Sequence, residues 1–389
     1  MITVKITEKD SDRYEYITFP VNKYSFYDQL DRVGIFGEYN AEISELENET
    51  GLKNIKLSDK PTVDELNFLA KRLEEVCADK CMKLAYNAVI SRYESVRISE
   101  TINYTYGLES VPVFPCGNAA EYGAVVLEND FLEELNEIPD ELYGLLDCEK
   151  IGRLMQERED GVFTDGYYVI PSSYEPQLVY DGVLPEPMDE WLFRFKVFAV
   201  PSEECNFEEE KHIALSLPAP REKIYETAYQ LGEKNIENCV IMDFESAIPS
   251  ISDNILKDAA DIHTLNEIAC EISKMSRTEA AKCKAVFERE QPVNISEARD
   301  LITIMDCYEF DPSTIDLKDY GEKYLSEMLP PEFDRSFLSD GVTADFGRNI
   351  SENNGSCLTE YGMLSSAGGQ IYSMIEAEQT QRQGQMMSL

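Results

Sequence analysis

Two histidines, ten cysteines and a large excess of carboxylates are the side chains with which this 389-residue chain could do chemistry. Imidazole is the usual general acid–base group, and here only His212 and His263 could serve. His212 stands at the start of an expected strand and His263 beside an expected helix. Neither has a partner at catalytic spacing, and both read as ordinary surface or partly buried residues. Cys77 and Cys81 are one helical turn apart, which could be half a metal site. No second ligand pair lies near them, so core packing is the better reading. The other cysteines (Cys116, Cys148, Cys205, Cys239, Cys270, Cys283, Cys307, Cys357) form no Cys-x-x-Cys, and reduced thiols in a cytoplasm are the economical interpretation. Gly355-Ser356-Cys357 lacks the Gly-x-Ser-x-Gly elbow. Phosphate-loop, dinucleotide and EF-hand spacings are absent. The expectation is therefore no catalytic, cofactor-binding or metal-ligating residue, no cofactor, and no enzymatic activity. A two-carboxylate hydrolase stays open as an alternative. It would need a pocket with two facing acids, one with a strongly raised pKa.

Charge is the stronger signal. The 35 basic and 75 acidic residues leave 35 − 75 = −40. Self-repulsion of that size costs stability, and it argues against direct binding to nucleic acid or an anionic membrane. A salty habitat, a basic partner or imitation of a polyanion would each account for it. At the B-DNA density of one charge per about 1.7 Å, forty charges would extend roughly 68 Å, about two helical turns. With 43% hydrophobic residues, 22 Tyr and 17 Phe, the chain is globular rather than an acidic disordered tail. The N-terminus lacks a basic region followed by an apolar stretch, and no run approaches 18 apolar residues. A cytoplasmic location is expected.

The elements that would display these charges occur twice. Phe19-Pro20 returns as Leu217-Pro218, Ile43 to Glu47 as Ile241 to Glu245, and Leu66-Asn67 as Leu265-Asn266. Ile98-Ser99-Glu100 returns as Ile295-Ser296-Glu297, Glu121-Tyr122-Gly123 as Asp319-Tyr320-Gly321, and Gly152-Arg153 as Gly347-Arg348. The offset stays at 195 to 199 residues, so an internal duplication sets the domain count.

Alternation predicts strands over 2–6, 14–19 and 41–46, and a short helix from Tyr24 to Val33 stops at Gly34. Val63, Leu66, Leu69, Ala70, Leu73 and Val76 form a helical stripe. A second helix is expected over 81–92, and Ser99 reads as the N-cap of a third, repeated by Ser296. Residues 132–146 read as an acidic pair of short helices split near Pro139, and 161–170 as a closing strand pair. In the second half, 192–200 and 213–217 read as strands, and Ile262 to Met275 repeats the stripe. Asn67 and Asn266 read as capping or turn residues. Gly152 and Gly347 read as backbone constraints before a turn, and their neighbouring arginines as internal ion pairs. The rhythm lacks regular βαβ units, which points to an α+β protein of small mixed subdomains. The expected boundaries are copy one over 1–173, a Pro- and acid-rich linker over 174–191, copy two over 192–376 and a disordered tail over 377–389.

These residues together resemble the ArdA-type antirestriction family. The resemblance rests on Phe19-Pro20 with the helix to Gly34, the Ile43 to Glu47 strand, and Glu65-Leu66-Asn67. It continues through the segment Ile138 to Leu142, Gly152-Arg153, Gly161-Val162-Phe163 and Gly166-Tyr167. Copy two follows with Leu217-Pro218, Ile241, Leu265-Asn266, Gly347-Arg348 and Tyr361-Gly362. It departs from the family in being a tandem pair, in a loosely matched middle region, and in having Thr264 where Glu65 would align. The resemblance implies an elongated α+β protein whose carboxylates imitate DNA phosphates and occupy the DNA groove of a type I restriction-modification enzyme. A CRISPR effector is the second candidate target, and an acidic module binding a basic protein without mimicry is a competing function.

The partner-binding residues expected under mimicry act as a set: Glu42, Glu45, Glu47, Glu74, Glu75, Glu133, Glu134, Glu137, Asp140 and Glu141, with Asp243, Glu245, Glu271 and Glu327 in copy two. The chain would be a pseudo-dimer of two mimics, with pairing of two chains left open.

Overall fold

The computed structural model describes residues 1–46, 56–135, 138, 140–199, 212–251 and 262–366. The expected tail, 377–389, lies outside these residues. The chain forms two compact units. One comprises Met1–Ile6, Tyr16–Val21 and Ala41–Met188; the other comprises Thr7–Glu15, Asn22–Asn40 and the chain from Asp189 onward.

The N-terminal alternation does what its period requires. Strand β1 (Ile2–Glu8) buries Ile2, Val4 and Ile6, and β2 (Tyr14–Phe19) buries Ile17 and Phe19. After a cis Phe19–Pro20 bond, the Asn22 side-chain Oδ1 accepts from Ser25 N at 3.0 Å and starts α1 (Lys23–Arg32). Gly34, at φ +71°, follows the helix. Strand β3 (Tyr39–Leu46) completes a three-stranded sheet of order β2-β1-β3.

Short β4 (Lys56–Leu57) precedes α2 (Val63–Ala78), which opens with a Thr62/Glu65 capping box. The predicted stripe is its buried face, with Leu66, Leu69, Ala70, Leu73 and Val76 inside. Asp79 caps α3 (Lys80–Ile90), and β5 (Ser95–Val96) pairs in parallel with β4. The N-cap of helix α4 (Ile98–Asn103) lies two residues before the expected Ser99. Arg97 holds the cap position, and its N–H donates to the Glu100 carboxylate at 2.8 Å. Next come β6 (Val113–Phe114), α5 (Ala119–Glu128), two 3₁₀ turns at Glu133–Leu135 and Asp140–Leu145, and α6 (Cys148–Glu159). Strands β7 (Val162–Thr164) and β8 (Tyr167–Val169) close a sheet of order β6-β8-β7. The segment read as a linker is held against this unit. Asn103 accepts from Val179 N and Tyr180 N at 2.9 and 2.8 Å and donates to Tyr180 O at 2.9 Å.

The second unit carries β9 (Phe193–Phe198), β10 (His212–Leu217), α7 (Arg221–Gln230) and β11 (Val240–Ser246), in a sheet of order β10-β9-β11. Helices α8 (Ile262–Ile272), α9 (Arg277–Glu290) and α10 (Ile295–Thr303) follow. Met275, expected in the α8 stripe, lies past its end. Asn294 caps α10 through Glu297 N at 2.9 Å, so Ser296, like Ser99, sits inside its helix. Strand β12 (Tyr308–Asp311), α11 (Leu317–Met328), α12 (Asp340–Asn354), β13 (Cys357–Thr359) and β14 (Gly362–Ser366) complete the unit. Their sheet has the order β12-β14-β13. The fold class is α+β, with small sheets and helices packed beside them.

Two repeated features take roles that the sequence did not suggest. Asn67 is buried within α2, and its Oδ1 accepts from Val21 N at 2.8 Å. Asn266 does the same from α8 with Ala219 N, and donates back to Ala219 O at 2.9 Å. Neither caps a helix. Each holds the strand exit just after the Pro. Gly152 and Gly347 lie mid-helix, not before a turn. A Cβ on Gly152 would overlap Ala119 O, and one on the facing Gly123 would overlap Cys148 O. Gly347 and Gly321 are likewise closed off by Leu317 O and Thr343 O. The glycines let α5 meet α6, and α11 meet α12, at backbone distance.

Candidate partner-binding acidic surface

Glu42 and Glu45 project from β3, and both are exposed; Glu47 lies outside the described residues. Glu74 and Glu75 sit on the outer face of α2, opposite the buried stripe. Arg72 bonds Glu75 and stacks 4.1 Å over the Tyr106 ring. Glu133 and Glu134 are exposed on the first 3₁₀ turn. Arg158 reaches Glu134 at 2.8 Å, and that hydrogen bond lowers the carboxyl below its ordinary value. Glu137 lies outside the described residues. Asp140 and Glu141 open the second 3₁₀ turn, with their side chains outside the description.

In the other unit, Asp243 and Glu245 are exposed along β11. Asp243 takes φ +54°, where the pairing register to β9 shifts, and its carboxylate meets Lys196 at 2.7 Å. A bulge of this kind re-aims its side chain. Glu271 on α8 and Glu327 on α11 are exposed. Glu327 also rims a polar cavity of about 420 Å³ with Glu309 and Asp311. Burial raises the Asp311 carboxyl, but donors on Lys323, Ser313 and Thr314 outweigh it and hold the group well below the usual range. The repeated arginines make local, exposed ion pairs, Arg153 with Glu149 at 2.6 Å and Arg348 with Asp345 at 2.8 Å. Such pairs contribute little.

Of the chemical candidates, His212 is exposed and its ring lies 5.3 Å from that of Phe198. His263 lies 3.4 Å from Glu237. Cys77 is half-buried and Cys81 exposed. Among the described residues no group of three or more His, Cys, Asp or Glu could hold a metal ion. No described helix is long and apolar enough to cross a membrane.

Sequence reasoning missed a buried ionic cluster in the second unit. Asp28 and Asp31, one turn apart on α1, face Lys284 of α9, whose Nζ donates to both at 3.0 and 2.7 Å. Arg277 adds a bond to Asp31 at 2.9 Å, Arg32 one to Asp28 at 2.9 Å, and the Tyr361 hydroxyl one to Asp28 at 3.0 Å. Burial raises the Asp31 carboxyl, against the pull of Lys284 and Arg277. A cavity of about 210 Å³ opens beside it, lined by Tyr24, Tyr27, Arg277 and Lys284. Two facing acids, one raised, is what the hydrolase alternative requires. Here every carboxylate oxygen already faces a cation or a phenol, which is the pattern of a structural pin. The signal in the sequence was two aspartates at helical spacing among Phe26 and Leu30.

Comparison with the curated proteins gives no match. Residues 13–170, from β2 through β8, match the family model of the antirestriction protein ArdA, and over this stretch the chain is similar to that family.

Proposed function

We propose that the chain is an antirestriction protein that works by imitating DNA, occupying the DNA groove of a type I restriction-modification enzyme with its surface carboxylates. The observation that carries this reading is the ArdA match over 13–170 in a chain with a formal charge of −40. The exposed glutamates of β3, α2 and the first 3₁₀ turn all fall within that stretch. Each would stand for one phosphate, so the energy is distributed and no single acid is decisive. The protein needs no bond-making chemistry for this. It needs rigid scaffolding that keeps carboxylates facing water until the enzyme arrives.

The chain would present the mimic twice, in copies spanning 1–173 and 192–376. Support comes from the matching strand orders β2-β1-β3 and β10-β9-β11, the matching Asn67 and Asn266 grips, and the paired glycines of α5–α6 and α11–α12. The copies are units of sequence, whereas the compact units divide the chain elsewhere: α1 belongs with the second.

The test is a protection assay in cells carrying a type I system. Expression of the chain should raise the plating efficiency of unmodified phage by orders of magnitude. Plating that stays at the restricted level while the protein accumulates would end the antirestriction reading.

A further inference from the structure

In the second unit α1 is seated on α9. Tyr24, Tyr27, Asp28 and Asp31 form the face of α1 that meets this helix, with Arg277 stacked 4.9 Å over Tyr27 and Lys284 between the two aspartates. The seat therefore joins an acidic and aromatic helix face to a basic one. Both partners have a counterpart in the same chain. Helix α7 follows Leu217-Pro218 as α1 follows Phe19-Pro20, and a shift of 198 residues superposes their sequences. Ile224 and Ala228 take the buried positions of Phe26 and Leu30. Glu222, Tyr225, Glu226 and Tyr229 take the positions of the α1 docking face. On α7 that face lies open, with Tyr225 52% and Tyr229 82% exposed. A solvated helix face has little reason to carry two tyrosines one turn apart.

Helix α3 is the counterpart of α9. Their N-caps, Asp79 and Ser276, and the buried runs Ala88-Val89-Ile90 and Ala285-Val286-Phe287 align at a shift of 197. Lys80 then takes the position of Arg277, Lys83 that of Ala280 and Asn87 that of Lys284. Lys80 is exposed, with its Nζ 4.3 Å over the Tyr167 ring. The α3 face is thus basic where the α7 face is acidic and aromatic.

We propose that α7 of one chain docks on α3 of a second copy of this chain, reproducing between chains the α1–α9 seat found within one. Glu222 and Glu226 would meet Lys80 and Lys83, and Tyr225 and Tyr229 would cover the lysine stems, as Tyr27 covers Arg277. The contact is head-to-tail, so it closes into a ring of chains or extends as a filament, depending on the rotation between neighbours. Aromatic anchors beside charged groups are the usual centres of such contacts.

Sedimentation velocity of the full chain tests this without any restriction enzyme, so its result is independent of the antirestriction assay. At 0.15 M salt the Debye length is about 8 Å, which screens the repulsion of two chains at −40 but leaves contacting pairs intact. The mass should rise beyond one chain between about 1 and 100 µM, the range of a moderate contact. The pair Glu222→Lys with Glu226→Lys, and separately Lys80→Glu with Lys83→Glu, should each weaken association at least tenfold. Mixing the two variants should restore it, because reversed α7 then meets reversed α3. Unchanged thermal melts of the variants show that the fold is intact. A single-chain mass throughout, association indifferent to both reversals, or a mixture that fails to associate would each overturn the proposal.

Discussion

At the scale of single residues, the Asp28–Asp31–Lys284 cluster sets the largest expected energy. Replacing one partner of a buried ion pair leaves charge without compensation, a loss of about 3–5 kcal/mol. Lys284→Met should therefore lower the urea midpoint steeply. The loss should also grow with pH. Asp31 is raised by burial even with its cations present, so its contribution is fully present below the unfolded carboxylate value and is lost as pH rises through the folded one. Removing Lys284 takes away a lowering influence and enlarges that loss. Asp311 has the opposite sign. Its carboxyl is depressed, so its stabilisation is present above the unfolded value of about 3.9 and disappears as pH falls toward the folded one. Asp311→Asn should cost about 1 kcal/mol at pH 7, modest because the group is partly exposed, and progressively less as pH falls below the unfolded value. Denaturant midpoints at two pH values check both. None of this was legible in advance. Partners 253 and 256 residues apart cannot be read from spacing, and with 75 acids in the chain any one pair carries almost no information.

Secondary elements were far more legible, because burial imposes period on sequence. The stripe from Leu66 to Val76, the alternation of Ile2, Val4 and Ile6, and the β9 run each folded as their period required. The caps did not. Ser99 and Ser296 look like N-caps, yet the helices start earlier, because Glu100 and Asn294 satisfy the first N–H groups. Asn67 and Asn266 were read locally but act across the fold. Asn67→Ala should cost about 1–3 kcal/mol by stranding the Val21 N–H, and Asn266→Ala at least as much, since Ala219 loses both of its bonds. The glycines make a sharper test. Gly152→Ala or Gly347→Ala places a methyl group into a facing backbone carbonyl, which cannot rotate away. Each should lose about 1–3 kcal/mol or more in thermal melts, whereas Gly144→Ala, with open space around it, should lose little.

At the scale of the whole molecule, charge was legible from composition, and the purpose proposed for it comes only with the ArdA match over 13–170. A formal −40 argues against direct nucleic-acid binding as readily as it suggests a basic partner. The ArdA match is the ground for proposing a restriction enzyme as the partner, and mimicry as the mechanism. Distributed mimicry predicts that Glu74→Ala alone is nearly silent. Joint reversal of Glu42, Glu45, Glu74 and Glu133 to lysine should abolish inhibition while the melting curve survives. An abrupt loss from one alanine would mean a local contact instead. The most direct test of the central claim is competition binding of the chain to a purified type I restriction-modification enzyme, with duplex DNA carrying the enzyme's recognition site as competitor. Shared occupancy of the DNA groove predicts that the duplex displaces the chain completely and that affinity falls steeply as salt is raised. Binding that persists at saturating duplex, or that is indifferent to salt, would contradict DNA mimicry.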